Sequence, residues 1–215
     1  MKTVNSLIFL LIMFVSLSNG QTASDETDIF LAKMFEYANT HDVKALEELR
    51  DQIRVKKDQE LTAAYSLALY IAAPEKYKEQ YVDNFPADSE GMRYFSERIE
   101  LQGLTPSYFY IDAIGRIAAE GNDKAIEKVI IGFTLSDGGA AQLFCDTLAT
   151  LFAKQLRKTL RVFSQTEEGL RQKTYICFEL MGAKEITQLK SKLRKLKPEA
   201  SEKEKKVIDE IDKYL

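Results

Sequence analysis

From Asp28 to the C-terminus, apolar residues recur every three or four positions, and no segment long enough to judge alternates as a strand would. That period confines the chain to helices, each with one face to bury. Val43, Leu46, Leu49 and Ile53 form one such stripe, and Asp28–Asn39 places Ile29, Phe30, Met34 and Tyr37 on one side. Asp58–Ala72 is rich in Ala and Leu and reads as a buried helix. Pro74 opens the next, with Tyr77, Tyr81 and Phe85 spaced by four, and Pro86 closes it. Met92, Phe95 and Ile99 mark another. Thr105-Pro106 offers a capping hydroxyl and then a ring that needs no N–H, so a helix is predicted to start there and to run through Ile114 and Ile117 to Gly121. Asn122-Asp123 caps its successor.

The punctuation agrees. Gly121, Gly138-Gly139, Gly169 and Gly182 sit near helix boundaries, and Pro198 precedes the last helix. With only 10 Gly and 4 Pro, the chain lacks the turns that an all-β fold needs. A hydrophobic fraction of 45% over 215 residues supports one sizeable core. No Gly-, Ser- or Pro-rich linker divides it. About twelve helices in a single domain spanning 21–215 are expected.

The N-terminus has a different character. Met1–Ser6 carries one cation, Lys2; Leu7–Val15 is uninterrupted apolar sequence; Ser18 and Gly20 then provide small residues at −3 and −1. This is the pattern of a secretory signal peptide over residues 1–20, cleaved before Gln21. The run is shorter than the ~20 residues that cross a bilayer. The expected location is secreted or periplasmic, with no stable membrane insertion after removal of the signal. Loss of Lys2 changes the formal charge from −3 to −4. So slight an imbalance provides no global attraction for nucleic acid.

The second half repeats itself. Ala125–Ile130, Gln155–Leu160 and Glu185–Lys190 are 30 residues apart, and three apolar columns align: Ile126/Leu156/Ile186, Val129/Thr159/Leu189 and Phe133/Phe163/Leu193. Thirty residues accommodate two short helices and two turns, and such pairs bury their apolar faces by stacking. Ala113–Ile126 resembles the joint between the two helices of a short bacterial HEAT-type repeat, and Ser136–Leu143, continuing to Ala149, resembles the start of the next unit. The resemblance covers residues 105–197. It departs from the repeat pattern where Gly138-Gly139-Ala140 follows Asp137 in place of the usual Arg. It implies a right-handed α-α solenoid of about five to six helix pairs, a fold that usually binds proteins; architecture alone does not fix function.

Residues that carry chemistry are scarce. The single histidine, His41, stands beside Asp42 at a predicted helix start. One imidazole excludes His-pair metal motifs, and no phosphate-binding or nucleophile-elbow glycine motif occurs. Glu47-Glu48 and Glu167-Glu168 read as solvated faces. No catalytic residue, metal site or cofactor is assigned. Cys145 and Cys177, the only cysteines, have apolar flanks. Export permits a disulfide. Their spacing of 32 puts them on equivalent helices of neighbouring units. Helix axes ~8–10 Å apart weigh toward two buried thiols, since bonded cysteines want Cα atoms about 5.5–6 Å apart. A reactive thiol is the third reading.

Two features remain as candidate sites. Lys154, Arg157, Lys158 and Arg161 form one helical stripe, and Lys190, Arg194 and Lys197 another on the equivalent helix of the next unit; Glu185 is the one acid beside them. Stacked units would merge these stripes into a face for an anionic ligand. Tyr77, Tyr81, Tyr108 and Tyr110 belong to an aromatic-rich tract that suits either core packing or a groove for a peptide or sugar. The expected function is non-catalytic binding of another macromolecule, most simply a protein partner. A small-ligand or glycan-binding helical domain is the alternative, and an enzyme the third possibility.

Overall fold

The computed structural model describes residues 26–215, so the signal segment expected at 1–20 lies outside the described residues. Among them there is no strand: the protein is all-α. Helix α1 covers 26–39, followed by α2 (Val43–Glu48) and α3 (Arg50–Lys56), which meet at a helical Leu49. Then come α4 (Gln59–Ala72), α5 (Pro74–Asn84) and α6 (Ser89–Tyr94), the last running into a π-helix over Phe95–Glu100. The second half contains α7 (Phe109–Ala119), α8 (Asp123–Leu135), α9 (Gly138–Lys154), α10 (Leu156–Gln165), α11 (Glu168–Thr174) and α12 (Ile176–Glu179). It closes with α13 (Ala183–Leu196), a 3-10 turn at Lys197–Glu199 and α14 (Glu202–Asp212).

The starts follow local chemistry. The side chains of Asp42, Asp58, Asp88 and Asn122 accept from the third backbone N–H beyond them, at the first residues of α2, α4, α6 and α8. Thr105 does not cap α7. Pro106 and Phe109 close a turn first, Tyr108 takes a left-handed φ of 58°, and α7 begins at Phe109. Helix α1 also turns a different face inward than expected. Leu31, Met34, Phe35 and Ala38 are buried, whereas Ile29 is exposed. The i, i+3, i+4, i+7 set wins over the looser one because it forms a straighter stripe.

Helix α4 is buried nearly all round and pairs with α5; α7 pairs with α8. α7 then packs on α9, and α8 on α10. Polar contacts between successive elements recur at similar sequence distances. Lys124–Asp83 spans 41 residues, Lys78–Glu120 42, Arg161–Asp123 38 and Lys206–Glu168 38. The middle repeat column, Val129, Thr159 and Leu189, is buried throughout. In the third column Phe163 and Leu193 are buried and Phe133 is half-buried. The third unit breaks the expected register. Helix α13 packs on α9, while the helix seated beside α10 is α14, through Val207, Ile208 and Ile211.

Cys145 of α9 and Cys177 of α12 are disulfide-bonded, with Cα atoms 5.0 Å apart. Of the three readings left open for these cysteines the disulfide is the one found, and the leaning toward two buried thiols on equivalent helices is corrected. Interaxial distances of ~8–10 Å do not weigh against the bond, because each helix carries its Cα atoms about 2.3 Å out from its axis and facing Cα atoms can therefore meet at about 5 Å.

Candidate functional site

The four tyrosines do not share one groove: Tyr77 and Tyr81 are packed inside, whereas Tyr108 and an edge of Tyr110 line a surface depression of about 460 Å³ with Met92, Arg93 and Ser136. Only Tyr108 of the four is exposed. Their positions follow from helical spacing: Tyr77 and Tyr81 lie on the inward face of α5, and Tyr81 stacks on Tyr70 with centroids 5.2 Å apart. A buried phenol needs an acceptor, and backbone carbonyls supply it. Tyr81 donates to the Tyr110 carbonyl at 2.9 Å, and Tyr65 to that of Leu46 at 2.9 Å. The rings of Tyr65, Tyr77 and Tyr81 are core.

The two basic stripes have different fates. On α10, Arg157 pairs with Glu199 at 3.3 Å and Arg161 with Asp123 at 2.5 Å, while Lys158 donates to the Gly121 carbonyl at 2.6 Å. Lys197 pairs with Asp209. The expectation that Glu185 is the only acid near seven cations is corrected. Folding brings Asp123 from the start of α8, Glu199 from the 3-10 turn and Asp209 from α14, none of them a sequence neighbour of α10. Lys154, Lys190 and Arg194 have no ion pair with the described residues.

The part that stays positive is the outer face of α13. Leu189 and Leu193 fix the inner face, and Lys192 reaches back to the Ala153 carbonyl at 2.6 Å. At 100° per residue, Lys184, Thr187, Ser191 and Lys195 then lie on the opposite side, with Arg194 and half-buried Lys190 along one flank of it. Five of them, from Thr187 to Lys195, line a shallow surface depression of about 400 Å³. None of the four cations is paired with a described residue, whereas Lys76, Lys78, Lys124 and Lys206 elsewhere each meet a carboxylate. The reading from sequence missed Lys184, Lys195, Thr187 and Ser191. The signal was present: two positions either side of Leu189 and Leu193 reach Thr187, Ser191 and Lys195, and three back from Thr187 reaches Lys184.

Other polar groups are accounted for structurally. His41 adopts a left-handed φ of 57°, and its Nδ1 lies 3.0 Å from the Ala72 carbonyl at the end of α4. Buried Arg171 faces Glu210 at 3.6 Å, and Glu210 also accepts from the Tyr175 hydroxyl, which ties α14 to α11 and α12. At the end of the π-helix, burial pushes Glu100 up to about 7, against the pull of the Tyr108 backbone N–H. One Glu100 carboxylate oxygen is buried without a hydrogen-bond partner. A separate cavity of about 420 Å³ lies between the starts of α4 and α6 and the flank of α8. Its walls include Asp58, Asp83, Asp88, Phe85 and Lys128, whose ammonium donates to the Phe85 carbonyl at 3.2 Å and is pushed down by burial.

No protein-family model, curated protein or solved structure matches the chain. Among the described residues no group of His, Cys, Asp and Glu is placed to hold a metal ion, and no helix is long and apolar enough to cross a membrane. What this chain can do is therefore argued from its own surfaces.

Proposed function

We propose that the chain is an exported, non-catalytic α-solenoid that binds another macromolecule through its surface. Residues 1–20 act as a cleaved signal peptide in this reading, and the mature protein works in a secreted or periplasmic setting. The observation that carries the binding role is the outer face of α13, where Lys184, Lys190, Arg194 and Lys195 cluster on one helix and none is paired with a described acid. The disulfide between Cys145 and Cys177 supports export, because such bonds persist in oxidising compartments. The side-by-side packing of α7 on α9 and α8 on α10, with inter-element contacts recurring at 38 to 42 residues, supports the solenoid reading.

Cross-linking the full-length protein in its own compartment tests this reading. A covalent adduct of macromolecular size supports it. Recovery of the protein with no macromolecular adduct overturns it. A second reading, binding of a small ligand, is favoured by the 420 Å³ cavity beside Lys128 and Phe85. Under that reading the protein carries a dissociable small molecule, which native mass measurement detects as a discrete increment.

A further inference from the structure

We infer that the outer face of α13 binds a single linear polyanion, a sulfated or carboxylated polysaccharide, laid along the helix. This rests on the proposed binding role and names the class of partner.

Three observations lead there. First, the charge is local and unopposed. Lys184, Lys190, Arg194 and Lys195 make no ion pair with the described residues, while Lys197, one turn beyond, is already neutralised by Asp209, and Arg161 and Arg157 of α10 by Asp123 and Glu199. Second, the shape is a line. From Lys184 to Lys195 the face runs about 16 Å at 1.5 Å per residue and is one helix wide. A flat anionic bilayer would have to meet the neighbouring elements as well, and α14, beyond the 3-10 turn, carries five acids against three lysines. A single chain can follow the ridge and avoid them. Third, the face offers charge and hydroxyls but no apolar anchor. Thr187 and Ser191 lie between the cations, and every exposed large apolar side chain among the described residues lies elsewhere. Protein interfaces draw most of their energy from buried aromatic and apolar anchors. Sulfate and carboxylate groups need only Lys and Arg charge, the planar donors of Arg and nearby hydroxyls. The shallow depression of about 400 Å³ suits a polymer lying on the surface, not a side chain inserted into it.

The test uses the full chain with four probes: dextran sulfate, neutral dextran, poly-glutamate and vesicles containing anionic lipid. The expected result is tight binding to dextran sulfate that weakens as salt rises, no binding to neutral dextran, and at least tenfold weaker binding to poly-glutamate and to vesicles. The variant Lys190→Glu/Arg194→Glu/Lys195→Glu should lose at least tenfold of the dextran sulfate affinity. The control Lys44→Glu/Lys173→Glu/Lys203→Glu carries the same charge change on other exposed positions and should lose less than threefold. If the first variant melts early, Lys190→Gln/Arg194→Gln/Lys195→Gln gives the same comparison with milder substitutions. Equal losses for the two charge-reversed variants would overturn the assignment to α13. Preference for poly-glutamate or for vesicles would overturn the polysaccharide. Failure of all four probes would also overturn it, yet would leave the binding role standing wherever cross-linking traps a macromolecule.

Discussion

Cys145 and Cys177 join α9 to α12 with 5.0 Å between their Cα atoms, and so anchor a four-residue helix that has little surface of its own to bury. A cross-link spanning 32 residues restricts the unfolded chain by about 3–4 kcal/mol on loop-closure arguments. Cys145→Ala/Cys177→Ala should therefore lower stability by about 2–4 kcal/mol without altering helix content. Chemical denaturation of the oxidised protein and the double variant checks this; coincident midpoints would show that packing alone holds α12 in place.

Phe163 is fully buried, and its ring touches Phe152, Tyr175 and Phe178. Truncation leaves a cavity among rings that cannot all collapse into it. Phe163→Ala should cost about 3–5 kcal/mol. A loss below about 1 kcal/mol would remove Phe163 from the buried repeat column.

Gly132 of α8 lies against Phe144 of α9, and an added Cβ would overlap that ring. Although alanine favours helices, by ~1 kcal/mol over glycine, the clash decides the sign. Gly132→Ala should destabilise by about 1–3 kcal/mol in thermal melting. A stabilised variant would mean that Phe144 can swing clear.

Glu100 provides a pH signature. Its carboxyl titrates near 7 in the folded protein because burial disfavours the charge, against 4.5 for a free Glu. Between those values the native state holds more proton than the unfolded one, so this residue makes stability fall as pH rises from about 4.5 to about 7. Glu100→Gln keeps the shape and removes the charge. It should flatten that part of the stability–pH curve and raise stability at pH 8 by roughly 1 kcal/mol, allowing for the group's partial exposure. Parallel curves for the two proteins would show that Glu100 is solvated.

The all-α class was legible because period and punctuation are local properties. Pro74 opens α5 and Asn122 caps α8 where the sequence placed them. Whatever depends on the return path of the chain was not legible. The α10 cations read as free because Asp123 and Glu199 are 38 and 42 residues away from their partners. The disulfide stayed one of three readings because the sequence provides the axis spacing of packed helices and not which Cα atoms face each other across it. Tyr81 and Tyr110 offered both core and groove, and the carbonyl that satisfies the Tyr81 hydroxyl belongs to Tyr110 itself, 29 residues on. The outer face of α13 lay between these cases. Its composition was visible at once, but its lack of counter-charge became visible only when every other acid had a position.

The account depends most on that face. The direct measurement is the affinity of the macromolecule cross-linked in the native compartment, at low and high salt, for wild type and for Lys190→Glu/Arg194→Glu/Lys195→Glu, with thermal melting as the folding control. Exposed charges usually alter stability by no more than about 0.5 kcal/mol each, so the variant should remain folded. The predicted result is tight low-salt binding by wild type, weaker binding at high salt, and at least tenfold weaker low-salt binding by the variant, a gap that narrows as salt rises. Equal affinity in all four measurements, with both proteins folded, would contradict the account and return the α13 cations to an ordinary solvated helix face.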